Sequence, residues 1–238
     1  MNILVFRNRT IKDIEESVLE MEKAIRNTNI LMIPGGFSAG DEPEGSGKFI
    51  GTVLRNPRIQ DAIEELLEER DGLIMGICNG FQALIKLGLL PYGKFKEMTK
   101  EDATLTYNQI GRHVSQMVRT KIVSVNSPWL SNVEVGDVHR IPVSHGEGRF
   151  MAPTKLIEEL KAKGQIITQY VDEKSNITME VPHNPNGSME AIEGIVSPDG
   201  RIIGKMAHSE RIGSNVHKNI SGNLNQQLFK SGIDYFKR

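Results

Sequence analysis

Short apolar runs alternate with longer amphipathic stretches in the N-terminal third of the chain. The runs have the length and composition of strands and cover residues 2–7, 30–33 and 73–77. Between them, apolar residues recur at helical spacing over 11–27 and 58–69, and Thr10 with Asp13 resembles a capping box at the first helix. Strand and helix in alternation are typical of a parallel α/β sheet.

The pattern changes after residue 104, where apolar and polar positions alternate as in antiparallel strands. Asp199-Gly200 is a strong hairpin signal between two such runs. No internal repeat or low-complexity linker interrupts the chain, so the simplest interpretation is one domain with an antiparallel extension. The strands predicted here are 104–107, 117–125, 138–143, 165–171, 192–196 and 201–207, with a helix at 153–163.

Composition and charge narrow the class of protein. The 238 residues are 38% hydrophobic and 25% charged, with a formal net charge of -1 and no dense block of Lys and Arg. Nothing therefore points to nucleic acid or an anionic membrane as a partner. The single cysteine excludes an intrachain disulfide and fits a reducing compartment. No apolar run approaches the roughly 18 residues of a membrane span, and we expect a cytoplasmic protein.

Candidate chemistry concentrates at Gly76-Ile77-Cys78-Asn79-Gly80, which follows a buried strand and precedes a helix. This is the thiol version of the nucleophile elbow, a sharp strand-to-helix turn that presents a nucleophile between small residues. The free N–H groups and dipole at a helix start favour the thiolate of Cys78, and the N–H of Asn79 faces a developing oxyanion. The alternative is a buried and inert core cysteine, the commoner fate of a lone cysteine.

A glycine-rich loop follows the strand at 30–33 and allows backbone N–H groups to approach a ligand. Gly47-Lys48 resembles the end of a phosphate loop, but Glu42 stands where the first glycine belongs and Phe49 replaces the Ser or Thr that holds magnesium. The scattered histidines and single cysteine show no metal-ligand spacing. We therefore predict no nucleotide or metal site in this chain.

His208 and Glu210 are candidate partners for the cysteine. A spacing of two places both side chains on one side of an extended segment, where the carboxylate fixes the imidazole tautomer. The alternative is an exposed His–Glu pair without a catalytic role. Because the carboxyl ends of parallel strands share one crevice, Cys78 and the glycine loop lie at the same edge. The hairpin has to bring His208 to that edge.

Together, these motifs resemble the triad (class I) glutamine amidotransferases, and in particular the glutaminase components of phosphoribosylformylglycinamidine synthases. The likeness runs from about residue 30 to the C-terminus. It rests on five blocks in the family order: PGGFSAGD at 34–41, GICNGFQ at 76–82, IPVSHGEG at 141–148, NPNGS at 184–188 and HSER at 208–211. The elbow and His-x-Glu mark the superfamily, whereas His145-Gly-Glu-Gly and the NPNGS block mark this member.

The resemblance implies a fold and a set of functional residues. The fold is an open, mostly parallel, flavodoxin-like sheet with helices on both faces and an antiparallel extension. Catalytic roles fall to Cys78 as nucleophile, His208 as general base and acid, and Glu210 as its orienting carboxylate. Backbone N–H groups at Gly36, Phe37 and Asn79 would stabilise the oxyanion. The substrate-binding residues implied are Gln82, Ser144, His145 and Gly146.

The same resemblance implies that glutamine hydrolysis supplies ammonia to a synthetase subunit or domain. ATP and magnesium then belong to that partner, and this chain carries no cofactor. Three other hypotheses are open: an amidotransferase with another ammonia acceptor, a non-catalytic docking or regulatory module, and a cysteine peptidase or general hydrolase on the same elbow.

One departure concerns the N-terminus. Family members carry a further strand-loop-helix unit and a strand before the Pro-Gly-Gly strand, whereas here only one strand and one helix precede residue 30. Either the segment 2–7 takes the place of the missing interior strand, or the 1–238 domain is an N-terminally cut piece of a longer polypeptide. We expect the second arrangement.

Overall fold

The computed structural model describes residues 2–36 and 47–237. Its helices are α1 (Ile11–Arg26), α2 (Lys48–Leu54), α3 (Pro57–Glu68), α4 (Asn79–Lys86), α5 (Leu89–Tyr92), α6 (Thr154–Ala162) and α7 (Leu228–Tyr235). Its strands are β1 (Ile30–Ile33), β2 (Leu73–Ile77), β3 (Thr104–Thr106), β4 (Val114–Ile122), β5 (Val138–His145), β6 (Arg149–Met151), β7 (Ile166–Tyr170), β8 (Ile192–Val196) and β9 (Ile202–Lys205).

Seven strands form one sheet in the order β1-β2-β9-β8-β7-β4-β5. The first three are parallel to one another, and every later neighbour is antiparallel. Strands β3 and β6 pair separately. The predicted α/β sheet with an antiparallel extension is confirmed. The extension is larger than expected, because four of the six neighbouring pairs among the described strands of this seven-stranded sheet are antiparallel.

The parallel part of the sheet is held by apolar packing. All five residues of β2 are buried, and α1 packs against α3 in the same hydrophobic core. The predicted start of α1 is confirmed, since Thr10 Oγ1 accepts a hydrogen bond from the backbone N–H of Asp13 at 3.0 Å. Asn56 caps α3 in the same way through the N–H of Arg58.

The N-terminal segment 2–7 forms no strand, so that prediction was wrong. Its apolar side chains favour a strand, but a strand also needs a partner, and Ile3 is 81% exposed. The backbone N–H and C=O of Arg7 are instead paired with the buried hydroxyl of Ser17, on α1. The segment is therefore fastened to a helix and does not take the interior place in the sheet.

The pairing of β2 with β9 determines where the candidate site forms. Because these strands are parallel and Ile77 lies opposite Lys205, the chain leaves both strands at the same edge of the sheet. The predicted hairpin between β8 and β9 is confirmed, with the N–H of Gly200 donating to the carbonyl of Ser197 at 2.9 Å. The hairpin therefore delivers residues 206–210 beside Cys78.

Candidate active site

Cys78 lies in the sharp turn between β2 and α4. Its backbone has φ 52° and ψ -106°, a conformation that L residues rarely adopt and that is typical of nucleophile elbows. A Cβ at Gly80 would come within 2.1 Å of the carbonyl oxygen of Ile33, and one at Gly76 within 2.6 Å of Leu84 Cδ1. Only glycine fits at these two positions, as the spacing predicts.

The protonation state of Cys78 differs from the expectation. Burial raises the pKa of the thiol to about 11 and outweighs the lowering by the backbone N–H groups of Asn79 and Gly36 and by the charge of Arg211. The helix start does favour the thiolate through the N–H of Asn79, as predicted, but burial outweighs this effect in the free protein. At neutral pH the sulfur keeps its proton, and a nearby base has to remove it.

His208 is oriented by Glu210. The imidazole Nδ1 lies 2.6 Å from Glu210 Oε1, and His208 is 1% exposed. The segment turns at this point, with the N–H of Arg211 donating to the carbonyl of His208 at 3.2 Å. Burial acts to raise the pKa of Glu210, but hydrogen bonds, above all from His208, outweigh it and hold that pKa below its ordinary value. Glu210 is thus an ionised acceptor for an Nδ1–H group.

The imidazole and the thiol meet at Gly35. A Cβ at this glycine would lie 2.7 Å from His208 Cε1 and 3.0 Å from Cys78 Cβ, so both side chains border the same point. Nε2 of His208 is buried and has no hydrogen-bond partner among residues 2–36 and 47–237. Because Nδ1 is engaged by Glu210, Nε2 is the nitrogen left to accept a proton.

The glycine loop contributes to the same place. The side-chain amide of Asn79 donates from Nδ2 to the carbonyl oxygen of Gly36 at 2.7 Å. With this carbonyl held, the N–H groups of Gly36 and Asn79 both reach the sulfur of Cys78. Phe37, the third predicted oxyanion residue, lies outside the described residues.

A cavity of about 90 Å³ opens above the sulfur. All four predicted substrate-binding residues line it, and Gln82 donates from Nε2 to the carbonyl oxygen of Glu147. Arg211, which the sequence motifs did not single out for a role, also borders the cavity. The lining residues are Gly36, Cys78, Gln82, Ser144, His145, Gly146, Glu147, His208 and Arg211.

Asn108 shapes one wall of this cavity and was missed from the sequence. Its backbone N–H donates to the carbonyl of Gly146 at 2.9 Å, and its Nδ2 donates to the carbonyl of His145 at 2.8 Å. Its Oδ1 accepts the N–H of Gly148 and lies 3.1 Å from the Nδ1 of His145. One buried amide therefore fixes the turn that carries three predicted substrate-binding residues.

The ring of His145 supports the turn from behind. Burial lowers its pKa to about 4, so the imidazole is neutral at physiological pH. A Cβ at Gly148 would come within 2.5 Å of the ring, which explains glycine at that position. Ser144 is next to the nucleophile, since its carbonyl oxygen lies 3.8 Å from Cys78 Sγ.

The turn at 184–188 is buried, although its sequence is typical of a surface turn. Asn186 Nδ2 donates to the carbonyl of Gly148 at 2.7 Å, and Ser188 Oγ accepts the N–H of Phe150 at 3.0 Å. Asn184, Asn186 and Ser188 are all 0% exposed. This block therefore backs the cavity wall and does not touch the cavity itself.

Neither a metal-ion site nor a membrane-spanning helix is present in the ranges 2–36 and 47–237. No group of three or more His, Cys, Asp or Glu side chains there is arranged to hold a metal ion. No helix in the described part of the chain is both long enough and apolar enough to span a membrane.

A buried thiol, an imidazole and a carboxylate at the carboxyl edge of an α/β sheet define the class of triad enzymes that act by acyl transfer. The family described as the CobB/CobQ-like glutamine amidotransferase domain matches residues 7–236, and the chain belongs to this family. That match takes in every predicted site residue.

Among curated proteins, the chain is similar to subunits named phosphoribosylformylglycinamidine synthase subunit PurQ. It is 35% identical to that of Pyrococcus furiosus, over 90% of this chain and 83% of the relative. It is 32% identical to that of Aquifex aeolicus, over 89% of this chain and 85% of the relative. A solved structure, PurLQS from Thermotoga maritima, aligns with 28% identity and a TM-score of 0.65, covering 88% of this chain and 81% of that one.

Proposed function

We propose that this chain hydrolyses the side-chain amide of glutamine at Cys78 and supplies the ammonia for phosphoribosylformylglycinamidine synthesis in de novo purine biosynthesis. The observation that carries the proposal is the position of His208, held by Glu210 and bordering the same point as the buried thiol of Cys78. The family match and the PurQ relatives support the choice of glutamine and of the acceptor.

The first step is activation of the sulfur. Because the thiol of Cys78 has a pKa of about 11, it is protonated in the free protein. His208 Nε2 takes this proton as sulfur attacks the amide carbon of glutamine, and a C–S bond forms. Glu210 accepts the Nδ1–H bond throughout and stabilises the imidazolium.

The second step releases ammonia. The N–H groups of Asn79 and Gly36, which reach the sulfur in the free protein, stabilise the negative charge on the former carbonyl oxygen. Loss of one such donor typically costs about 10²–10³ in rate. The imidazolium of His208 protonates the leaving nitrogen, the C–N bond breaks and a glutamyl thioester remains on Cys78.

Hydrolysis of the thioester completes the cycle. His208 removes a proton from a water molecule that attacks the thioester carbon, and the C–S bond breaks. The proton returns to sulfur, and glutamate leaves. We assign the α-amino and α-carboxylate groups of glutamine to the side of the cavity formed by Gln82 and the 144–146 turn.

The ammonia serves a synthetase subunit or domain that uses ATP and magnesium to convert formylglycinamide ribonucleotide to the amidine. We place ATP and magnesium on that partner. A cytoplasmic location is part of the proposal and is supported by the single cysteine.

The decisive experiment replaces Cys78 with alanine in the complex with the synthetase. We expect synthesis driven by glutamine to be lost and synthesis driven by added ammonia to continue, because only the nucleophile is removed. The matched control is Ser131→Ala, an exposed position far along the chain from the elbow, which should leave both reactions unchanged.

Three outcomes would contradict the proposal. Unchanged use of glutamine by Cys78→Ala would indicate a docking or regulatory module. Ammonia transferred only to a different acceptor would indicate another amidotransferase. Turnover of peptides or esters at Cys78, without a glutamyl thioester, would indicate a peptidase or general hydrolase.

A further inference from the structure

A buried ion pair lies directly behind the candidate catalytic histidine. Lys205 on β9 and Glu193 on β8 are 1% and 0% exposed, and Lys205 Nζ lies 3.2 Å from Glu193 Oε1. Withdrawing two charges from water costs so much that a buried ion pair often stabilises a fold no better than two apolar side chains. Stability therefore gives no reason for a charged pair here, and its other contacts become informative.

The other contacts of this pair are with Ala207 and Ser209, the residues immediately before and after His208. Glu193 Oε1 accepts the N–H of Ala207 at 2.7 Å, and Lys205 Nζ donates to the carbonyl of Ala207 at 3.3 Å. Lys205 Nζ also donates to Ser209 Oγ at 2.9 Å. Both neighbours of His208 in sequence are thus tied to the same pair of charges.

The main chain of Lys205 holds the other half of the site. Its carbonyl oxygen accepts the N–H of Cys78 at 2.8 Å, at the residue with the unusual positive φ. Lys205 therefore contacts Cys78 through its backbone carbonyl. Its side chain contacts Ala207 and Ser209, the two neighbours of His208 in sequence. Both halves of the candidate site are therefore attached to Lys205.

The pair has a full set of hydrogen-bond partners. The three protons of Lys205 Nζ have three acceptors within 3.3 Å, namely Glu193 Oε1, the Ala207 carbonyl and Ser209 Oγ. Glu193 Oε2 accepts from Thr168 Oγ1 at 2.6 Å, and Ser209 Oγ donates onward to Gln226 Oε1 at 2.5 Å. A buried network this complete has one low-energy arrangement, which makes it a suitable support for side chains that need exact placement.

We infer that Lys205, Glu193 and Ser209 form a positioning network that holds His208 at the distance from Cys78 required for proton transfer. None of the three lines the cavity, and none is a catalytic residue. This inference rests on the proposed function, since it concerns the rate of the same proton transfer. A misplacement of about 1 Å can lower turnover about 10²-fold without a change in substrate contacts.

The test replaces the ion pair with an apolar pair, Lys205→Met together with Glu193→Leu, in the complex with the synthetase. We expect a folded protein whose kcat for glutamine is about 10²-fold lower and whose KM is unchanged, because the cavity wall is intact. The matched control is Lys96→Met with Asp102→Leu. In that pair Asp102 is buried and Lys96 is half-buried, and Asp102 bonds to Tyr92, Lys96 and Thr99 and not to residues 206–211. The control should leave both constants unchanged.

A milder variant keeps the test valid if the double replacement fails to fold. Ser209→Ala removes a single hydroxyl and should lower kcat about tenfold at unchanged KM, whereas Ser209→Thr keeps the hydroxyl and should restore most of the loss. A wild-type kcat in Ser209→Ala, or in the folded double variant, would overturn the inference. Absence of glutamine turnover in the wild-type complex would instead overturn the proposed function, so the two failures are distinguishable.

Discussion

The two sides of the candidate active site are built by different means. On the cysteine side, close apolar packing fixes the backbone, with all of β2 buried and glycines where any Cβ would collide with β1 or α4. On the histidine side, hydrogen bonds fix side chains on an irregular turn, through Glu210, Ser209 and the Lys205–Glu193 pair. A change on the first side should damage the fold, whereas a change on the second should mainly lower turnover.

The largest effect should come from Gly80→Ala. The new Cβ would stand 2.1 Å from the carbonyl oxygen of Ile33, so β1 has to move away from α4. Although alanine favours a helix over glycine by about 1 kcal/mol, we expect the free energy of unfolding to fall by about 3 kcal/mol or more. Urea-induced unfolding followed by circular dichroism measures this change.

Gly51→Ala, within α2, is the control for that substitution. A Cβ there meets no described atom within 4 Å, so the helix preference of alanine should leave stability equal or slightly higher. If Gly80→Ala unfolds at the wild-type urea concentration, β1 moves without cost and packing does not fix the elbow.

A smaller effect, confined to turnover, should follow Glu210→Gln. The amide can still accept the Nδ1–H bond of His208 but carries no charge to stabilise the imidazolium. A hydrogen bond to a charged group contributes about 1.5–3 kcal/mol, so kcat should fall about 10- to 10²-fold while the free energy of unfolding changes little. Steady-state glutaminase kinetics in the complex provide the measurement.

Glu173→Gln serves as the control, because the carboxylate of Glu173 is 67% exposed and its ion pair within the described part of the chain is with Arg119, on the surface. It should have wild-type kinetics. A wild-type kcat in Glu210→Gln would mean that the carboxylate does not assist His208.

The smallest predicted effect concerns the pH dependence of Cys78 alkylation in the free protein. Because burial raises the pKa of this thiol to about 11, the thiolate fraction should rise about tenfold per pH unit up to about that pH. The rate of carboxamidomethylation by iodoacetamide, followed by mass spectrometry, should increase in parallel. A free thiol such as N-acetylcysteine, with a pKa of about 8.5, should reach its plateau earlier. A plateau for Cys78 near neutral pH would show a preformed thiolate.

Local patterns were sufficient to predict most of the strands, the helices α1, α3, α4 and α6, and the two motifs of the candidate site, whereas α2, α5, α7 and β6 were not predicted. The elbow depends on glycines two residues to either side of Cys78, and His208 and Glu210 are two residues apart. In each case, the residues that determine the outcome are close in sequence or carry a characteristic side chain.

Contacts between distant segments could not be predicted in the same way. Asn108 lies 37 residues before His145, and its position after a short strand gives no sign that its amide holds the cavity wall. From the sequence alone, Lys205 and Glu193 are typical of the exposed face of a hairpin. Their burial follows from the position of β9 in the middle of the sheet, which the local sequence does not indicate. The segment 2–7 shows the opposite error, because its local preference for a strand is overruled by its contacts with α1.

The order of strands in the sheet has a consequence for synthesis of the chain. Strand β9 is the last in sequence, yet it lies between β2 and β8 and joins the parallel and antiparallel halves. A nascent polypeptide that has not yet emerged from the ribosome as far as residue 205 lacks this central strand. Cys78 is therefore synthesised long before His208 and Glu210, and the candidate active site can assemble only after residue 210 has been made.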